Sequence, residues 1–203
     1  MKALLFIFIA AVCVLPVMAD KNISHSGKNI ANAAKIAMII APNKFRDEEL
    51  LIPLKAFKKA GFTVVVFSTS TKSAKGMLGY KFTPDKKLSD LNVKNFNAIV
   101  FVGGGGANIY WNNNFCHQIC KETVAQNKIL AAICIAPVTL ANAGVLKNKK
   151  ATVWSGASKK ITIHGAKYTG KAVTVDGNII TANGPKAAGK FASAIISKLK
   201  SLK

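Results

Sequence analysis

The chain has 203 residues, enough for one medium domain with a real core. Half of it is hydrophobic and 18% is charged, which excludes a disordered chain; beyond residue 20 no apolar run is long enough for a membrane-spanning helix. The formal net charge of +21 reads either as attraction to phosphates or anionic head groups or as a lysine-rich solvated surface; Arg46 is the sole arginine, so the rigid fork used in specific phosphate or base recognition is almost missing, which favours the solvated surface.

The first element is a leader. "MKALLFIFIAAVCVLPVMAD" has one early lysine, an apolar core from Ala3 to Val17, and small residues before a cut after Ala19. This is the three-part pattern of a secretory signal peptide over residues 1–19; the alternative is an uncleaved anchor. Cleavage removes Lys2 and leaves a net charge of +20 on a secreted or periplasmic protein. Three cysteines remain, Cys116, Cys120 and Cys134. An odd number in an oxidising compartment leaves a thiol free unless chains pair. Residues 20–34 are polar and unpatterned and read as a flexible segment before a domain over residues 35–203.

From Lys35 strands and helices alternate. "KIAMIIA" is a strand buried on both faces, and "RDEELLIPLKAFKKAG" a helix with acids first, lysines last and Gly61 as its stop. "FTVVVFS" is a second buried strand. Residues 71–95 read as a short hairpin and a short helix. "NAIVFVGGGG" is a third strand, "NNFCHQICKETVAQN" a helix, "KILAAIC" a fourth strand, and "PVTLANAG" a helix closed by Gly144. "KAVTVDGNIITA" carries a hairpin turn at Asp176-Gly177, and a helix from Pro185 ends the chain. The alternation predicts an α/β fold: a mostly parallel sheet with helices on both faces.

Sites in such sheets form at the carboxyl ends of strands. Three ends here carry unusual chemistry. Cys134 stands where a strand turns directly into a helix, the geometry of a nucleophile elbow; the competing reading is a buried inert thiol. The elbow and the helix terminus predict a depressed thiol pKa. Gly103–Gly106 free the neighbouring strand end of side chains, so their amides can form an oxyanion hole, cradle a phosphate, or simply turn the chain. The acids of "DEEL" are either surface residues favoured by the helix dipole or the source of one carboxyl pointing at Cys134. Cys116, His117 and Cys120 lack a nearby fourth ligand, so no metal site is expected.

"KIAMIIAPNKFRDEELLIPLKAFKKAGFTVVVFS", "IVFVGGGGAN", "ILAAICIAPVTLANAGVL" and "YTGKAVTVDGNIITANGP" resemble, in order and spacing, the ThiJ/PfpI family of the class I glutamine amidotransferase-like superfamily, which includes the parkinsonism-associated protein deglycases. The resemblance covers residues 35–199. It implies a flavodoxin-like three-layer sandwich, a homodimer or larger homo-oligomer, and no cofactor. It also implies a reactive cysteine at Cys134, a glutamate four residues before Pro53, which is Glu49, and oxyanion amides at Gly104 and Ile135. Protease-like members follow the cysteine with histidine; here Ile135 stands there. Other members carry a histidine about twenty residues after the cysteine; here the segment reads "ATVWSGAS", and His164 is the possible third member.

The resemblance implies action on small reactive carbonyls such as methylglyoxal, or on proteins they have modified, as a glyoxalase or deglycase. The alternative is a non-enzymatic redox-responsive or chaperone-like stress protein. A cysteine peptidase or amidase is disfavoured by Ile135. The lysine surface predicts at most weak, non-specific, salt-sensitive polyanion binding. Exported protein is expected to begin at Asp20, and its intact mass tests this; Met1 retained in a membrane fraction would show an anchor instead.

Overall fold

The computed structural model describes residues 34–202. The expected leader and the polar segment up to residue 33 lie outside the described residues. β1 (Lys35–Ile39) is buried after its first residue. A short β2 (Asn43–Phe45) leads into α1 (Asp47–Lys59). Asp47, Glu48 and Glu49 occupy the first turn of α1 and Lys58 and Lys59 its last, each matching the sign of the helix dipole. Gly61, at φ 83°, stops it in the left-handed conformation a side chain disfavours. β3 (Thr63–Ser68) follows.

Residues 71–95 differ in part from expectation. The hairpin is present, formed by antiparallel β4 (Ala74–Gly76) and β5 (Lys81–Phe82). In place of a short helix stand two single 3-10 turns, Leu88–Asp90 and Val93–Asn95, and an extra strand, β6 (Lys86–Lys87), beside β3. Two exposed lysines at a sheet edge have no apolar periodicity to announce a strand.

β7 (Ala98–Phe101), α2 (Asn114–Ala125), β8 (Ile129–Ile133) and α3 (Pro137–Asn142) then follow in the predicted order. β9 (Lys150–Ala151) and β10 (Lys167–Tyr168) pair in parallel, with α4 (Ser158–Thr162) between them. β11 (Val173–Asp176) and β12 (Ile179–Ala182) form the expected hairpin. Its two-residue loop is Gly177-Asn178, one position later than the sequence suggests. Gly177 takes φ 62° as the first loop residue. α5 (Ala188–Ser201) closes the fold.

Seven strands make one sheet in the order β11-β12-β8-β7-β1-β3-β6, parallel throughout except for β11. β7, β8 and β12 are buried at every residue, because helices cover both faces. The pleat sorts the side chains. Ile36, Met38, Val100, Ala131 and Ile133 join α1 and α5 in one core; Ala37, Ile39, Phe101, Leu130 and Ala132 join α2, α3 and α4 in the other. This is the flavodoxin-like α/β sandwich that the resemblance implies.

The β4–β5 hairpin is tied to α1 by one buried carboxylate. Asp47 Oδ2 accepts from the Leu78 amide at 2.8 Å and Oδ1 from the Tyr80 amide at 2.9 Å. Gly76 makes room for it, since a Cβ there would overlap the carboxyl. Asp47→Ala is expected to cost about 2 kcal/mol, the scale of hydrogen bonds to a charged group. Denaturant midpoints with an unchanged slope test this; Asp47→Asn should lose less.

Candidate active site

β8, β7 and β1 are neighbours in the sheet, so their carboxyl ends meet at one edge of the sandwich. β8 ends at Ile133 and α3 begins at Pro137. Cys134, between them, takes φ 63°, a left-handed conformation that a residue with a Cβ adopts at a cost of about 1–2 kcal/mol. Main-chain bonds hold it there. Its amide donates to the Ala182 carbonyl at the end of β12, at 2.9 Å. Its carbonyl accepts from the Trp154 amide, also at 2.9 Å. The corner is therefore the sharp elbow that the sequence suggests, and Cys134 is half-buried.

Glu49 arrives from the first turn of α1 and is completely buried. Pro53 has no N–H to offer the Glu49 carbonyl four residues back, so the helix lacks one internal bond at this turn. The side chain faces the Cys134 thiol and the Gly103 amide. Neither carboxyl oxygen has a partner of full hydrogen-bond geometry among the described residues. Burial of this unpaired carboxyl pushes its pKa from 4.5 to about 8. The thiol and the Gly103 amide pull the other way, as does the Arg46 charge, but they are outweighed. Glu49 is thus protonated at neutral pH.

Gly103 makes the meeting possible. A Cβ there would lie 2.5 Å from Cys134 Cβ and 2.6 Å from the Ile133 carbonyl oxygen, and would overlap the Glu49 carboxyl. Gly104, at φ 94°, then turns the chain so that its amide faces the Cys134 sulfur together with that of Ile135. Arg46 bonds back to this strand end, its amide donating to the Gly103 carbonyl at 3.0 Å.

The predicted depression of the thiol pKa is not what the structure holds. Burial, then the Glu49 carboxylate, push Cys134 up to about 12; the Gly104 and Ile135 amides oppose this without reversing it. The helix after the elbow has only six residues, and desolvation outweighs its terminus. Cys116 is likewise pushed up to about 12 by burial, and Cys120 well above its ordinary value. What separates Cys134 from the other two is access, because both α2 thiols are sealed in the core.

The structure thus brings Cys134, Glu49, Gly104 and Ile135 together. His164 stays on the exposed turn after α4, and no described hydrogen bond joins its ring to Cys134 or Glu49. The segment about twenty residues after the cysteine does reach the elbow, but it presents Trp154, whose indole cannot act as a general base. Trp111 also touches the elbow: its Nε1 donates to the Ile135 carbonyl at 3.2 Å. The two tryptophans thus bond to successive carbonyls of the elbow, Trp154 through its main-chain amide to Cys134 and Trp111 through its indole to Ile135, which no local pattern announced. Arg46 went unassigned too; it forms a two-point pair with Glu48 at 2.8 and 2.9 Å, and its charge acts on both Glu49 and Cys134. Its uniqueness in the chain was the available signal. Among the described residues no cluster of histidine, cysteine or acid could hold a metal; His117 Nε2 instead lies 2.7 Å from the Trp111 carbonyl.

Two consequences can be measured. Glu49 ionises near 4.5 when exposed by unfolding and near 8 when folded, so between these values the unfolded state binds fewer protons. Stability should fall as pH rises through this window, and Glu49→Gln should flatten the fall; melting temperatures across the window decide. The Glu49 charge raises the thiol pKa, so Glu49→Gln should also move Cys134 alkylation by iodoacetamide to lower pH. An unmoved or raised midpoint would show that the carboxyl does not act on the sulfur.

Comparison with known proteins finds relatives both by sequence and by fold. Residues 34–198 match the DJ-1/PfpI family. An uncharacterised protein of Methanocaldococcus jannaschii is 42% identical over 186 residues, 90% of either chain. A deglycase of Pyrococcus furiosus is 29% identical over 148 residues, 73% of this chain and 89% of its own. A glutathione-independent glyoxalase of Caenorhabditis elegans is 28% identical over 169 residues, 83% of this chain and 90% of its own. The crystal structure of a ThiJ/PfpI domain protein from Brachyspira murdochii aligns with a TM-score of 0.82 at 33% identity, covering 84% of this chain and 99% of that one. By sequence and by fold, the chain belongs to the DJ-1/PfpI family.

Proposed function

We propose that the protein is a cofactor-independent glyoxalase or deglycase that attacks small reactive carbonyls, free or attached to proteins, with Cys134. The observation that carries this reading is the buried Glu49 carboxyl, protonated at neutral pH and facing a thiol held on a left-handed elbow. Relatives described as a deglycase and a glutathione-independent glyoxalase support the same chemistry.

In the proposed step the Cys134 sulfur bonds to the aldehyde carbon. The carbonyl π pair moves to oxygen, where the Gly104 and Ile135 amides stabilise the developing charge. Glu49 gives its proton to that oxygen and takes the thiol proton in exchange. The product is a neutral hemithioacetal, and Glu49 ends protonated as it began. Glu49 is then the proton carrier for the later steps. His164 has no part in this scheme.

The redox-responsive reading uses the same two groups, with the Glu49 proton bonded to an oxidised Cys134. Its thiol is held protonated by burial, which slows oxidation, since the thiolate is the form that oxidants attack. The peptidase reading lacks an imidazole beside the elbow, where Ile135 stands with its side chain packed towards the core.

Export of the mature chain from Asp20 onward is part of the proposal and rests on the leader pattern. Among the described residues no helix is long and apolar enough to cross a membrane. Assembly into a homodimer or larger oligomer is also proposed. It is supported by Met77, Leu78 and Tyr80, an exposed apolar hairpin tip linked to the site's glycines by the Gly105 amide, 3.4 Å from the Met77 sulfur.

Methylglyoxal consumption should proceed through many turnovers per chain. Cys134→Ala should abolish it, and Glu49→Gln should lower kcat by about 10²-fold or more while leaving Cys134 open to alkylation. Consumption limited to one equivalent per thiol would support the redox reading instead.

A further inference from the structure

We propose that the face formed by β9, α4 and β10 docks on a phospholipid bilayer carrying anionic head groups. This inference is independent of the site chemistry. Between Thr123 and Val175 the chain has eight lysines and no acidic residue. The same stretch carries one strongly exposed apolar side chain. Ile163, which follows α4, is 77% exposed, the highest value among the large hydrophobic residues described.

The fold places these lysines together. Lys159 lies one helical turn before Ile163, whose amide donates to the Lys159 carbonyl at 3.2 Å. Lys150 and Lys167 are direct register partners in the β9–β10 pair, and both are exposed. The Lys147 side chain packs against Gly165, and the Asn148 amide donates to the Gly165 carbonyl at 2.8 Å. Lys160 is turned away from the group, with its ammonium over the Trp111 ring, 5.2 Å from the centroid. Like charges placed directly opposite each other in a sheet are unfavourable in water. An anionic partner removes that penalty.

Three kinds of partner can be weighed on this chemistry. A second copy of the chain docking through the same face would set lysine against lysine, with only Asp176, already paired with Lys149 at 3.7 Å and with the Lys150 amide at 2.8 Å, to answer them. A nucleic acid would answer the charge, but arginine is absent from the face, and a duplex offers no apolar layer beneath its phosphates. A bilayer offers both parts. Anionic head groups meet the lysine ammoniums, whose charge needs no bidentate geometry, and the acyl boundary below receives Ile163. The face thus has the basic rim and apolar point of a protein that lies on a membrane without crossing it.

The test uses mature full-length protein and vesicle flotation, with phosphatidylcholine vesicles prepared with and without phosphatidylglycerol. Binding should require phosphatidylglycerol and be lost at about 1 M salt, where screening is nearly complete. Ile163→Ser should weaken partitioning by about fivefold, because its apolar contact is lost. Lys159→Glu with Lys167→Glu should weaken it by tenfold or more, at about a factor of five per lysine near an anionic surface. Lys190→Glu with Lys200→Glu makes the same change of charge on exposed positions of α5, in the opposite helical layer, and should bind nearly as the parent does. Unchanged melting temperatures in all variants exclude misfolding. Equal loss in the α5 variant, or full binding by Ile163→Ser, would reduce the effect to general polyanion attraction and overturn the proposal. So would an oligomer that the β9–α4–β10 variants dissociate, because the face would then be a contact between copies of the chain.

Discussion

A buried carboxyl and a half-buried thiol, both carrying a proton, share the space that Gly103 leaves open. The rest of the molecule can be read as the means of holding them there. β1 and β7 set α1 and the glycine run side by side, and β8 delivers the sulfur one strand over. The contact is tight enough that even a methyl group on Gly103 would strike both partners. The carboxyl oxygens are buried and have no hydrogen bond of full geometry from the described residues. An ionised Glu49 would be expensive in that setting, and this sets its proton affinity.

The few acids of this basic protein show how deliberate the exception is. Seven of the eight lie among the described residues. Asp47 anchors the hairpin tip, Glu48 holds Arg46, and Asp85 accepts from the Val66 amide at 2.7 Å. Asp176 accepts from the Lys150 amide at 2.8 Å, Asp90 from the Ser89 hydroxyl, and Glu122 from Gln118. Glu49 alone accepts no hydrogen bond of full geometry. A chain with so much lysine has ample means to pair a carboxylate. Leaving this one unpaired in the core keeps its proton in place.

Much of this was legible in the sequence, for identifiable reasons. β1, β7 and β8 are continuous apolar runs because both their faces are covered, and such runs announce themselves. The elbow was legible because a strand and a helix stand too close together to allow a loop. β6 was not, since two lysines at an edge have no pattern, and the hairpin loop came out one residue late because both Asp-Gly and Gly-Asn suit a tight turn. The sign of the Cys134 shift was missed for a different reason. Local sequence shows a helix terminus near the sulfur, but it does not show that β12, α1 and the Trp154 segment close around it. Desolvation is a property of tertiary packing, and here it outweighs the local dipole. The tryptophans at the elbow were hidden in the same way: they lie 43 residues apart in the chain and are linked only through the successive carbonyls of Cys134 and Ile135 to which they bond.

A raised thiol pKa does not by itself argue against a cysteine nucleophile, and the kind of reaction decides. Alkylation and attack on oxidants both require a standing thiolate, so a site that penalises charge slows them. Addition of a thiol to an aldehyde is different. The sulfur loses a proton, the carbonyl oxygen gains one, and the product is as neutral as the reactants. If one group handles both transfers, little net charge develops at any point, and low polarity around the pair costs the reaction little. In the proposed reaction Glu49, protonated and facing the sulfur, is such a group, and the Gly104 and Ile135 amides face whatever transient charge appears. Under the proposed function, the burial that raises the thiol pKa favours carbonyl addition over reactions that need a standing thiolate, and the proton affinity of Glu49, more than that of Cys134, is the quantity on which that chemistry depends.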